Sequence, residues 1–216
     1  MSRDFFYGYR IVAASSVIQM MYLGCVFAYG VFFPEFEAEF GWSRATISGA
    51  AALNFFVMGV FGIVMGGATD RFGPRVVLAI AGVMYAVGYL LMYRMTTTWE
   101  LYLFYGLLWG LGIAAHEIAT LSTVARWFIR QRGLMSGIAK AGAGIGQVLV
   151  PLVAAALVMA YGWRHACLLI GIVALIVIVA TAQLMRRDPA GLGLRPLGAE
   201  KNGRDAVEHT ADGLNL

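Results

Sequence analysis

The chain has 216 residues, of which 60% are apolar and only 13% charged, with a formal net charge of +4 and a mean hydropathy of +0.75. A water-soluble domain carries about 25% charged residues, so this composition speaks against an ordinary globular enzyme and points to a chain whose main surroundings are hydrocarbon. The basic surplus then reads as a marker of the cytoplasmic side of a membrane, not as a nucleic-acid footprint.

A helix needs about 20 apolar residues to cross the hydrocarbon core. The first such segment, Ile11–Phe33, follows MSRDFFYGYR and is longer than a signal-peptide core, so it reads as a retained span. PEFEAEFGWSR connects it to Ala45–Thr69, which contains no charge at all. The stretch GATDRFGPR, residues 67 to 75, then gathers charge, two glycines and a proline before a second uncharged run, Val76–Tyr93. RMTTTWE leads into Leu101–Ala125, RWFIRQRG into Leu134–Ala160, and YGWRH into Ala166–Met185. Hydrocarbon offers no partner to an unpaired backbone group, so these six segments are expected to be helices and not open strands. The expected fold is an all-α membrane protein with six transmembrane helices over residues 1–188. Beyond it the chain turns polar and is broken by Pro and Gly, so 189–216 is expected to be a disordered cytoplasmic tail. Cys25 and Cys167 both fall inside apolar runs and read as small packing residues.

The connections fix an orientation. Arg44, Arg94 and Arg164 fall on one side of the expected spans. Arg3, Arg10, Arg71, Arg75, Arg126, Arg130, Arg132, Arg186 and Arg187 fall on the other. The arginine-rich side is expected to be cytoplasmic, which places both termini there. Glu35, Glu37 and Glu39 lie on the opposite side, and Trp42, Trp99 and Trp163 sit at its expected interface.

Ionisable groups inside a membrane are costly and are functional candidates by default. Away from the interfaces these are His116, Glu117 and Lys140. Glu117 lies roughly eleven positions before the turn near Phe128 and Lys140 roughly twelve after it, so at 1.5 Å per residue they reach similar depth and can pair. Three roles fit them: Lys140 attracts a substrate carboxylate, Glu117 or His116 carries a proton, or the pair only fixes helix packing. Asn54 in the second span is read as helix glue first and as a cavity residue second. AGAGIGQ, residues 141 to 147, lacks the Lys-Ser/Thr of a phosphate loop. Gly133, Gly137, Gly142, Gly144 and Gly146 are instead expected to let the fifth span pack closely. His116, His165 and His209 are scattered, so no metal site is expected, and no cofactor or enzymatic constellation is indicated.

A tight connection between spans two and three needs Gly73 for backbone freedom and Pro74 for a fixed φ, and Asp70 favours the N-terminal end of the third helix. GGATDRFGPR in that position resembles the loop signature of the major facilitator superfamily, filled here by Gly66, Asp70, Arg71, Gly73 and Arg75, with Pro74 where a basic residue is more usual. YGVFFPEFEAEFGWSRATIS, RWFIRQRGLMSGIAKAGAGIG and RRDPAGLGLRP resemble the monocarboxylate porter and oxalate/formate antiporter branch. The resemblance implies secondary transport of a small organic anion, monocarboxylate or oxalate-like, in the plasma membrane, with a bacterial inner membrane expected. It implies that Asp70 meets Arg126 as a latch, the other reading of the loop being a topology anchor with no gating role, and that spans one and four line the cavity, which favours Glu117, His116, Tyr22 and Tyr29. YGLLWGLG has Tyr105 and Gly106 where the superfamily's fourth-span arginine is usual, so proton coupling through that arginine is not supported. Transporters of this kind have two six-helix halves. This chain resembles the N-terminal one, so the expected partners are the anion, membrane lipid and a second bundle, either a homodimer mate or a separate C-terminal half. The alternative is a truncated or scaffold membrane protein that binds a partner bundle without transporting.

Overall fold

The computed structural model describes residues 6–198, and regular structure there is helical apart from one isolated bridge between Phe128 and Leu197. Five helices are long and apolar enough to cross a membrane: α1 (Tyr7–Phe40), α2 (Arg44–Phe72), α3 (Pro74–Met92), α4 (Thr98–Trp127) and α5 (Arg132–Ala182). A single 3-10 turn, Pro189–Leu192, follows.

The ends of these helices are written locally. α1 runs past Pro34, although the proline removes a donor from the ladder, and stops at Gly41, whose left-handed φ of 65° lets its N–H reach the Glu37 carbonyl at 3.0 Å. Ser43 caps α2 through its hydroxyl, which accepts from the Thr46 N–H. Gly73, at φ 83°, ends α2 and begins α3, with Pro74 at the first helical position where its missing N–H costs nothing. Glu100 accepts from the Thr96 and Thr97 N–H groups at 2.6 and 2.8 Å and closes a capping box at the start of α4.

α4 is irregular. A π-helical stretch, Tyr102–Trp109, is followed by a short α segment, Gly110–Ile113, a turn at Ala114 and Ala115, and a last α segment, His116–Trp127. The 51 residues of α5 would extend about 77 Å if straight, against about 30 Å of hydrocarbon. Gly162 (φ 76°, ψ 160°) breaks the helix into arms at 132–161 and 163–182. The contacts show that the chain reverses there. Gly142 lies against Ser16 and Gly146 against Met20, so the first arm runs parallel to α1. Trp163 packs on Phe36 and the Leu184 carbonyl accepts from the Tyr7 hydroxyl, so the second arm runs antiparallel to it.

α1 is the central element. Its carbonyls at Tyr22 and Cys25 accept from the hydroxyls of Tyr85 and Tyr89 on α3 at 3.0 and 3.1 Å. Tyr29 stacks on Tyr105 of the π-helical stretch, ring centroids 3.8 Å apart. Cys25 and Cys167 are both buried packing residues. At the end away from the arginine-rich loops, Glu39 accepts from the Trp163 Nε1 at 2.6 Å and pairs with Arg164, which also donates to the Met95 carbonyl at 3.0 Å. The glutamates expected in a loop therefore sit on a helical extension, where Glu37 also pairs with Arg44 at 2.8 Å.

The expected tail begins with described structure. The Ile129 N–H donates to the Leu197 carbonyl at 3.0 Å and the Leu197 N–H to the Trp127 carbonyl at 2.9 Å. Residues 199–216 lie outside the described residues.

The glycines of the fifth segment divide. A Cβ at Gly142 or Gly146 would fall 2.1 Å from an α1 carbonyl oxygen, whereas Gly133, Gly137 and Gly144 face open space. Gly146→Leu is therefore expected to lower the melting temperature in detergent, with an overpacking cost of about 1–3 kcal/mol, while Gly144→Leu leaves it unchanged. Equal melting temperatures for the two variants would contradict this packing.

Candidate functional site

Two groups of polar side chains stand out, one at the arginine-rich end and one part-way along the helices. At the first, the tight α2–α3 turn holds Asp70 opposite the end of α4, where its Oδ1 accepts from the Arg126 Nη2 at 2.5 Å. Arg126 also lies 3.7 Å from Asp188, just after α5. Arg75 donates to Gln183 at 2.7 Å, Arg71 stacks over the Phe72 ring, and Gly66 faces Ile118. The Trp127 indole N–H donates to the Arg186 carbonyl at 2.9 Å. The structure thus brings together Asp70 and Arg126, the contact that the family resemblance implies. It adds Asp188 and Gln183, whose only sequence signal was polarity at the end of the last apolar run.

Part-way along the helices, Lys140 from the first arm of α5 pairs with Glu117 from α4. Both remain half-exposed, Lys140 at 55% and Glu117 at 47% of the side chain, on a face of the bundle that no other described element covers. Exposed ion pairs in water are worth little; one that faces hydrocarbon or a closed cavity is costly to break. His116 is buried beside it. Its Nδ1 donates to the Ile113 carbonyl at 2.6 Å, and its ring lies 5.4 Å from that of Tyr22. Behind the pair, the Gln19 amide donates to the Thr120 hydroxyl at 3.0 Å, and Thr120 donates to the His116 carbonyl at 2.5 Å. Gln19 and Thr120 were not singled out from sequence, because a lone amide and a lone hydroxyl in separate apolar runs give no sign that they will meet.

The other candidates lie deeper. Tyr22 is fully buried, and its hydroxyl has no partner among the described residues. The Tyr29 hydroxyl donates to the Ile47 carbonyl at 2.9 Å, tying α1 to α2. Asn54 donates to the Tyr105 carbonyl at 2.9 Å, tying α2 to the π-helical stretch. These contacts set helix positions around the pair and do not reach its open face.

Long apolar helices joined by tight charged turns, with an ion pair held part-way along them, are the features of a multi-pass membrane transporter domain. The family description "Major Facilitator Superfamily" matches residues 15–210, and the chain belongs to that superfamily, whose members are membrane transporters and not enzymes. Similar curated proteins include monocarboxylate transporter 13 of Bos taurus, 33% identical over 179 residues that make up 82% of this chain and 42% of that protein. The riboflavin transporter RibJ of Trypanosoma brucei brucei is 29% identical over 187 residues, 84% of this chain and 34% of that one. The chain thus spans about one third to two fifths of the length of the curated relatives it matches. Among solved structures, the inward-open xylose transporter XylE from E. coli superposes with a TM-score of 0.67 over 97% of this chain and 56% of that chain; at 17% identity the likeness is one of fold.

A double-mutant cycle tests the loop contact. Asp70→Asn and Arg126→Gln should each destabilise the detergent-solubilised protein, with a coupling energy on the order of 1 kcal/mol between them. Strictly additive effects would show that the two side chains do not interact.

Proposed function

We propose that this chain forms one half of a secondary transporter for small organic anions, monocarboxylate or oxalate-like, in the plasma membrane. In this arrangement the chain crosses the bilayer six times, with the two arms of α5 as separate spans, both termini cytoplasmic, and residues 189–216 beginning a cytoplasmic connection after the bundle at 1–188. A second six-helix bundle, a second copy or a separate C-terminal half, closes the other wall of the cavity, and transport proceeds by rocking one bundle against the other around a site near the midplane.

The observation that carries the proposal is the Lys140–Glu117 pair on an open bundle face. Lys140 offers a substrate carboxylate a cation already desolvated on one side. When the substrate takes that cation, Glu117 loses its partner, and a proton delivered to Glu117 or His116 offsets the stranded charge. Tyr22, Tyr29 and Asn54 hold the helices that present these groups. At the other site, Asp70 and Arg126, with Gly66, Arg71, Gly73 and Arg75 shaping the loop, latch the arginine-rich end against the second bundle. The name shared by several similar proteins, monocarboxylate transporter, supports the substrate class.

The protein, purified through a tag on this chain together with any bundle that stays associated, is reconstituted in liposomes and assayed for labelled lactate and oxalate uptake. Lys140→Ala is expected to reduce uptake at least about tenfold, the effect of losing one charge-assisted contact, while the exposed Arg195→Ala leaves it intact. Unchanged uptake in Lys140→Ala removes Lys140 from the site, and no uptake by the unaltered protein favours a non-transporting scaffold.

A further inference from the structure

α1 and α2 end on glycines whose N–H groups turn back into the helix, Gly41 to Glu37 and Gly73 to Thr69. α4 has no such residue. Its last turn, which carries Arg126, makes a final helical bond from the Phe128 N–H to Val124 at 3.2 Å and then runs into extended backbone at Phe128 (φ −128°, ψ 118°). The Ile129 N–H, which would have continued the helix by bonding to Ala125, goes instead to the Leu197 carbonyl at 3.0 Å. The Trp127 carbonyl accepts from the Leu197 N–H at 2.9 Å. The end of α4 is therefore capped by a segment distant in sequence.

That segment, residues 186–198, is a strap fastened at both ends to the α4–α5 connection. At its near end the Arg186 carbonyl accepts from the Trp127 indole N–H at 2.9 Å, and Asp188 lies 3.7 Å from Arg126. At its far end Leu197 packs against the core, and Gly198 follows at φ 90°. Glycine is required there twice over. The φ disfavours any side chain, and a Cβ would fall 2.5 Å from the Arg130 Cβ and 2.9 Å from its backbone N. Extending α4 is no alternative ending, because α5 starts at Arg132 and turns the chain back. A helix end that loses its cap leaves carbonyls unpaired and frays over its last turn. In α4 that turn positions the guanidinium that meets Asp70.

We propose that the strap is a removable cap that controls the Asp70–Arg126 latch. While Leu197 is seated, the last turn of α4 stays wound and presents Arg126 to Asp70. When Leu197 leaves, the turn unwinds and the contact opens. Two backbone hydrogen bonds make a modest net tie, enough to keep the cap seated and little enough to be drawn off within a transport cycle. The purpose of the device rests on the transport reading above, in which residues 189–216 begin the connection to the second bundle. Movement of that bundle then reaches the latch along the backbone, through Leu197.

The test uses the detergent-solubilised protein and needs no transport, so its failure is told apart from failure of the transport reading. Gly198→Ala brings both the strained φ and the clash with Arg130, and should unseat Leu197. Amide hydrogen exchange at Trp127, Phe128 and Ile129 should quicken about tenfold, the factor that losing the net contribution of the two bonds brings, with exchange in α1 unchanged. The coupling between Asp70→Asn and Arg126→Gln should vanish in the same background. Leu197→Pro, which removes the capping donor itself, should give the same pattern. Gly191→Ala, in the 3-10 turn of the strap and in open space, should leave both exchange and coupling as they are. Faster exchange with the coupling intact would make the strap a local tie with no hold on the latch. Unchanged exchange in both strap variants would show that α4 ends without it. Either result overturns the proposal.

Discussion

Hydrocarbon supplies neither donor nor acceptor to a peptide group, so every departure from helical pairing in this fold must be answered by the protein itself. The departures are few and their answers can be traced. Gly41 and Gly73 donate back into the helices they end. At the α4–α5 connection Leu197 receives the Ile129 N–H and returns one to Trp127. Within α4, the carbonyl of Tyr105 in the π-helical stretch is taken by Asn54, and that of Ile113, before the turn at Ala114 and Ala115, by the His116 ring. The same demand explains why α1 sits at the centre. It is continuous from end to end, and its spare carbonyl capacity at Tyr22 and Cys25 is used by tyrosines from α3.

This constraint also shapes the surroundings of the ion pair. A helix that is regular throughout presents only side chains to its neighbours. A helix with a π stretch and a turn can change direction and bring adjacent residues to different environments, and π segments recur at functional sites for that reason. Across the α4 turn, His116 faces inward to a buried carbonyl while the next residue, Glu117, reaches the open face and Lys140. Two neighbouring ionisable groups are thereby separated into one sheltered and one available. Gln19 and Thr120 brace the segment from behind, linking it to the unbroken α1.

Much of this was legible in the sequence because it follows from length and charge. Uncharged runs bounded by arginine loops mark the helices, and equal distances from the turn near Phe128 bring Glu117 and Lys140 to one depth. What was not legible depends on the third dimension. Five glycines at helical spacing looked equivalent, yet only Gly142 and Gly146 face α1, because the rotation of a helix about its axis is set by packing and not by spacing. The π stretch of α4 has an ordinary apolar sequence. The first span was expected to end at Phe33, but its helix continues through Pro34 to Gly41, which supplies the left-handed turn that stops it. Residues 189–198 looked structureless because two backbone hydrogen bonds to a distant loop leave no trace in composition.

The reversal at Gly162 is made by one non-helical residue, and Trp163 and Arg164, immediately after it, are both fastened to Glu39. Splaying the two limbs at the tip would break the Glu39 contacts, and Arg164 extends them to the α3–α4 connection at Met95. The tip of the hairpin is thereby stitched to two other elements, so the point where the chain turns back is held in register with α1 and with the start of α4.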